Sequence, residues 1–283
     1  MRVLNIEVEP AHLLEWAGWL APDRQPFFLT DDEVRRWRLS GAARDDVTDR
    51  QLRDTYLVYN VDKALRPVWL SETEFHALPR QTRAGLVRAQ ARHERGAVPT
   101  VARWGSLLGK AVRDQADGRR FVWWPSLLAE HNATIIPAVI TEDLEPSCHS
   151  ELTNWPVSVL PRAQELAGTW PGGSGPNCFG TVMAAAGVRG AELEWMQRAP
   201  FEDWLATSTR RVGTSRHDVP GVVHVWRSTV DNAVQHAAVS LGDGWMLHKP
   251  SQSWMTPRKV RPTADAIRAT RTPGWRLTRH QLK

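Results

Sequence analysis

The sequence predicts an α+β protein in which a mostly helical first half precedes a small antiparallel sheet. Three observations lead to that class. In the first half, apolar residues recur at helical spacing behind recognisable start signals, as in Leu13, Leu14, Trp16, Trp19 and Leu20. In the second half, a glycine-rich turn (Gly172, Gly173, Gly175) leads into the alanine-rich run 178–187, which favours a helix beginning at Cys178. Further on, His236-Ala-Ala-Val-Ser-Leu-Gly-Asp-Gly-Trp-Met-Leu-His248 reads as two strands joined at Gly242-Asp243-Gly244.

Taken in order, the first helix covers Leu13 to Leu20. The second opens at Thr30, where Glu33 three residues on completes a capping box. Residues 47–66 and 71–95 are expected to be helical, the latter opening at Ser71 with Glu74. After Pro99 another helix runs through Trp104 to about Val112. Residues 120–124 are expected to be extended. The β-branched run 133–140, interrupted by Pro137, reads as a strand start or edge. Residues 141–157 have no apolar period, which divides the chain into a region 1–150 of unassigned role and a domain 151–283.

A chain of 283 residues, 42% hydrophobic and 24% charged, is long enough for two domains with substantial cores. Fifteen tryptophans against two tyrosines point to large apolar side chains in cores or aromatic-lined clefts, and Trp123-Trp124 to core packing before a cleft wall. The net charge of +5 is modest. Lysine stands only at positions 63, 110, 249, 259 and 283, all other basic residues being arginine. The basic stretch from Arg258 to Lys283 reads as a solvated face, and without a nucleic-acid motif nucleic acid is not the expected partner. Two cysteines exclude a disulfide-dense scaffold and a cysteine-based zinc set, so neither a metal nor a cofactor is expected. Residues 1–9 carry acids where a signal peptide needs an apolar core, and no run of apolar residues is long enough to span a bilayer. The expectation is a cytoplasmic protein with no membrane association.

The residues that carry chemistry are Cys178, His236 and His248. A thiol becomes a nucleophile when a helix N-terminus or an imidazole lowers its pKa, and Cys178 is expected in a first helical turn where the dipole would stabilise a thiolate. His236 heads a buried strand and His248 returns across the hairpin, so nucleophile, base and orienting group come from three nearby segments. Cys148-His149 reads as loop, since neighbours on an extended chain point oppositely. His217 and His224 read as structural.

This order resembles the NlpC-type papain-like cysteine peptidases. Asn177-Cys178-Phe179-Gly180 is similar to their Asp-Cys-Ser-Gly motif, residues 160–173 to its helical lead-in, residues 219–226 to their Pro-Gly-Asp strand start, and residues 236–248 to their His-containing hairpin. The resemblance covers roughly residues 155–262. It implies a papain-like domain with the cysteine helix packed on the sheet, Cys178 as nucleophile, His236 as base and His248 as orienter. It also implies substrate contacts at Trp170, Asn177, Phe179 and Trp245. Asn177 and Phe179 stand where the family has an Asp and a Ser that bind a free amino terminus, so recognition differs from that of cell-wall stem peptides. The expected activity is hydrolysis of an amide bond in a peptide-like or small amide substrate through an acyl-enzyme. An acyltransferase, transpeptidase or amide synthase using the same thioester is the alternative, and a non-catalytic binding module a second one.

Overall fold

The structure, a computed structural model, describes residues 1–41, 43, 47–115, 118–142, 144–213 and 218–283; His217 lies outside them. It divides into two compact units. Glu9–Val139 form one, and Met1–Val8 with Ile140–Lys283 form the other. The dividing point sits before the stretch 141–157, and the first eight residues belong with the C-terminal unit. They make a two-residue hairpin, β1 (Arg2–Val3) and β2 (Ile6–Glu7), turned by Leu4 and Asn5 at positive φ. The Leu4 carbonyl accepts the Ser147 N–H at 2.9 Å, which ties the hairpin to the later chain.

The N-terminal unit contains α1 (Pro10–Leu20), β3 (Arg24–Leu29), α2 (Asp31–Trp37), α3 (Arg50–Thr55), β4 (Arg66–Ser71), α4 (Glu72–Ala77), α5 (Arg80–Arg92), α6 (Val101–Gln115, broken at Gly109), α7 (Pro125–Leu128) and most of α8 (Asn132–Ile140). Both capping boxes form. Thr30 Oγ1 accepts the Glu33 N–H at 3.2 Å while Glu33 accepts the Thr30 N–H at 2.9 Å, and Ser71 and Glu74 repeat the arrangement. The strand pair β3–β4 was not expected. Arg95 lies inside this unit, donating to the Pro26 carbonyl at 3.0 Å, with its guanidinium 4.0 Å from the Tyr56 ring centroid.

Three sequence expectations are corrected here. Residues 47–66 are helical only over α3, because Asp62 caps a local turn at the Ala64 N–H (2.9 Å) and Arg66 precedes a proline and enters β4. Residues 71–95 form two helices, since Leu78 before Pro79 is extended (φ −72, ψ 148). Residues 120–124 do not contradict the extended segment expected there, with one bridge from Arg120 to Thr100 and Trp124 extended (φ −128, ψ 153), and Trp123 and Trp124 are buried in the core as expected, Trp124 against Phe27 and Phe75. Residues 133–140 are helix α8, in which Ile135, Ile136 and Ile140 are buried. A short apolar run satisfies strand and buried-helix templates equally, and tertiary burial decides.

The C-terminal unit is built on one antiparallel sheet. Its strands are β5 (Thr209–Val212), β6 (Val222–Ser228), β7 (Val234–Gly242), β8 (Trp245–His248), β9 (Lys259–Pro262) and β10 (Trp275–Leu282), in the order β5-β10-β6-β7-β8-β9. The last strand is inserted between β5 and β6, which no local signal announces. The helices of this unit are α9 (Ala163–Leu166), α10 (Cys178–Ala185), α11 (Arg198–Ser208) and α12 (Thr263–Ala269). Helix α10 is wholly buried and packs on Val223, Val225, Ala237, Val239, Leu241, Leu247 and Val260. Side chains alternate along a strand, so this apolar face sends His236, Ala238, His248, Lys259 and Arg261 to the other. Arg258 and Lys259 are buried rather than solvated, because Arg258 donates to Thr169 Oγ1 (3.1 Å) and Lys259 to the Glu145 carbonyl (2.9 Å).

Helix α10 also packs on the turn Ala191–Leu193, and Gly180 permits it: a Cβ there would sit 2.2 Å from the Ala191 carbonyl oxygen. Gly180→Ala is expected to cost about 2–3 kcal/mol. Thermal denaturation should show a melting temperature lower by roughly 5–10 °C; an unchanged value means the helix and turn separate freely.

Candidate functional site

Cys178 is the first residue of α10, and Asn177 is its N-cap. Asn177 Oδ1 accepts the Gly180 N–H at 3.1 Å, and Asn177 Nδ2 donates to the Met196 carbonyl at 2.8 Å. Both polar ends of Asn177 are thus engaged in holding the helix start. With Gly180 capped, the N–H groups of Cys178 and Phe179 belong to the unbonded first turn, and they approach the sulfur together with the Ala237 N–H.

The second element is the segment after β8. Lys249 is fully buried and donates to the Ser251 carbonyl (2.7 Å), the Ser253 carbonyl (3.0 Å) and Thr256 Oγ1 (3.0 Å), which knots residues 249–256 into a fixed loop. The Gly175 N–H donates to the Gln252 carbonyl at 2.9 Å, and the Trp254 N–H to Ser174 Oγ at 3.2 Å. The glycine-rich turn before Cys178 is therefore fastened to that loop. Together they border a cleft of about 630 Å³ whose wall includes Cys178, His236, Gln235, Gln252, Trp195 and Arg198.

His236 reaches this cleft from β7, with its ring 5.3 Å from Trp226 and 6.1 Å from His248. No hydrogen bond joins the two imidazoles, nor the Cys178 sulfur to His236. His236 Nε2 and both ring nitrogens of His248 are buried without a partner among the described residues. Burial pushes the Cys178 thiol up to about 11, outweighing the backbone N–H groups and the nearby Lys249 charge that pull it down. Burial alone brings His236 down to about 4. His248 is held well below the ordinary imidazole range by burial, with His236, Lys259 and Arg261 adding to it. The thiolate expected from the helix dipole is corrected accordingly: the resting groups are a neutral thiol and a neutral imidazole, because desolvation at a fully buried sulfur exceeds what one helix start returns.

Of the residues singled out in the sequence, Cys178, Asn177, Phe179 and His236 border one cleft. His248 borders an adjoining one that shares Gln235, His236 and Pro250 with it. Trp170 and Trp245 border neither; Trp245 packs against the hydrophobic core of the unit. The Phe179 ring stacks on Phe201 at 4.6 Å and is committed to the core. Cys148 and His149 also stay apart, His149 Nδ1 lying 3.0 Å from Ser147 Oγ. Sequence reasoning missed Trp195, which is exposed on the cleft wall, and Arg198, which donates to Gln235 Oε1 at 3.1 Å. It also missed Lys249, although a lysine in a chain that otherwise uses arginine was an available signal. No helix among the described residues is long and apolar enough to cross a membrane. Comparisons with protein-family models, curated proteins and solved structures find no match to this chain.

Two outcomes follow from the shifted groups. His236 stays neutral in the fold down to about pH 4, whereas the unfolded chain binds the proton near 6.5. Its contribution is complete above 6.5 and is lost as pH falls toward 4, about 2–3 kcal/mol by pH 4.5. Urea denaturation at pH 7.5 and 4.5 should show that loss, reduced in His236→Gln. Alkylation of Cys178 by iodoacetamide, followed by mass spectrometry, should be roughly a hundredfold slower than that of a free thiol at pH 7 and still rising at pH 9. A plateau at or below neutral pH would mean a resting thiolate–imidazolium pair.

Proposed function

We propose that the C-terminal unit is a cysteine-dependent amide-bond hydrolase acting on a peptide-like or small amide substrate. The observation that carries this reading is Cys178 at the start of α10, opening on the same cleft as His236, whose Nε2 has no competing partner. In this mechanism substrate filling the cleft brings thiol and imidazole into play together. His236 takes the thiol proton as the sulfur attacks the amide carbonyl, so the ion pair arises only as negative charge moves onto the carbonyl oxygen. The Cys178 N–H, at a helix start and unused by the helix, supplies a donor to that oxygen. The imidazolium returns the proton to the departing amine, leaving a thioester that water hydrolyses. His248 does not hydrogen-bond His236 in the resting state, so its orienting role requires the rings to approach from 6.1 Å.

The burial of Cys178, only 7% exposed, favours a second fate for the same thioester. A cleft that admits little water lets an amine compete as acceptor, which gives acyl transfer in place of hydrolysis.

The test is an electrophilic peptide probe, such as a peptidyl chloromethyl ketone, followed by mapping of the adduct. The expected result is labelling of Cys178 in preference to Cys148, lost in Cys178→Ala and slowed at least about tenfold in His236→Ala. Equal labelling of both cysteines, or indifference to His236→Ala, overturns the reading in favour of a non-catalytic binding module. With a fluorogenic amide substrate, the acid or an amine adduct then identifies hydrolysis or transfer.

A further inference from the structure

The face of the sheet turned away from α10 carries a second cavity that the proposed reaction does not explain. The register pairs His248 with Lys259 and Met246 with Arg261, so both pairs project on the same side as His236. His248, Lys259 and Arg261 line a cavity of about 380 Å³, bounded beyond the strands by Ala266 and Ala269 of α12, by Thr270 and by Trp275. That volume suits a small ligand rather than a few waters.

The groups around this cavity are short of hydrogen-bond partners, and its charged ones are donors. Both ring nitrogens of His248 and Nε2 of His236 are buried and have no hydrogen-bond partner among the described residues. Lys259 is buried and uses one N–H on the Glu145 carbonyl, while the half-buried Arg261 side chain makes no hydrogen bond or ion pair among those residues. Against these two cations the wall includes one carboxylate, Glu145, which is exposed. Two fixed positive charges repel a metal cation at the histidines, and among the described residues no three His, Cys, Asp or Glu side chains are grouped as a metal requires. An oxyanion answers these features: it accepts the one N–H of the neutral His248 imidazole, pairs with Arg261 in a fork geometry, and offsets the mutual repulsion of Lys259 and Arg261.

We propose that the pocket between β7, β8, β9 and α12 binds the oxyanion group, phosphate or carboxylate, of a small ligand, with Arg261, Lys259 and His248 as its donors. The pocket adjoins the Cys178 cleft through Gln235, His236 and Pro250. It does not require the chemistry proposed for Cys178.

The experiment is titration of the full chain with inorganic phosphate and, separately, with succinate. Chloride holds the ionic strength constant, and calorimetry and the histidine imidazole resonances are the readouts. Saturable binding is expected for at least one anion, with the His248 resonances moving toward the protonated form as it binds, since the anion counters the charges of Lys259 and Arg261. Preference for phosphate or for succinate tells which group the ligand carries. Arg261→Gln, which removes a side chain with no structural partner, should weaken binding roughly tenfold or more. Arg261→Lys should recover part of the loss, and Cys178→Ala should leave binding unchanged, which separates this proposal from the catalytic one. Absence of saturable binding for both anions, or affinity unchanged by Arg261→Gln, overturns it.

Discussion

Burial of Ala237, Val239 and Leu241 against the cysteine helix fixes the orientation of strand β7, and with it the position of every polar group around the cleft. Because successive side chains on a strand point to opposite faces, committing these residues to the core commits His236 and Ala238 to the far side. Strand β8 follows through its pairing, with Leu247 inward and Met246 and His248 outward, and β9 likewise places Val260 inward between Lys259 and Arg261. A shift of one residue in β7 would turn His236 in among aliphatic side chains and Val239 out of the core, so the register is tightly specified.

The second constraint is the tie between the loop after β8 and the turn before α10. A buried lysine that donates to two carbonyls and a hydroxyl replaces the water it has lost, and the loop it gathers is held to the glycine-rich turn at Ser174 and Gly175. Cys178 therefore starts its helix from a fixed point. The same enclosure raises the thiol and lowers the histidines. A site built this way holds a neutral thiol beside a neutral imidazole, and in the proposed reaction the proton would move from sulfur to imidazole only with the charge redistribution that a bound substrate supplies. The cavity on the opposite face follows equivalent physics: donors removed from water by the sheet and α12 are left for an oxyanion.

Local signals in the sequence were legible where one turn of chain contains all the physics. The two capping boxes, the helix start at Cys178 and the hairpin at Gly242-Asp243-Gly244 each depend on contacts within a few residues. Where two local structures were equally satisfied, tertiary burial chose. The apolar run 133–140 became a helix, and the helix expected over 47–66 kept only Arg50–Thr55, Arg66 entering the strand that pairs with β3. The tryptophans divided: Trp123 and Trp124 lie in a core as the sequence led one to expect, whereas only packing placed Trp195 on a cleft wall.

By itself the sequence determined the α+β character, the position of Cys178 at a helix start and the strand placement of both His236 and His248, because each is set by period, capping and turn chemistry over short spans. Only the tertiary structure decided the rest. It inserted β10 beside β6, drew Lys249 inside, separated the two imidazoles and surrounded His248 with Lys259 and Arg261. Those outcomes depend on which distant strands pair and how deeply each group is withdrawn from water, and neither strand pairing nor desolvation is encoded in residue spacing.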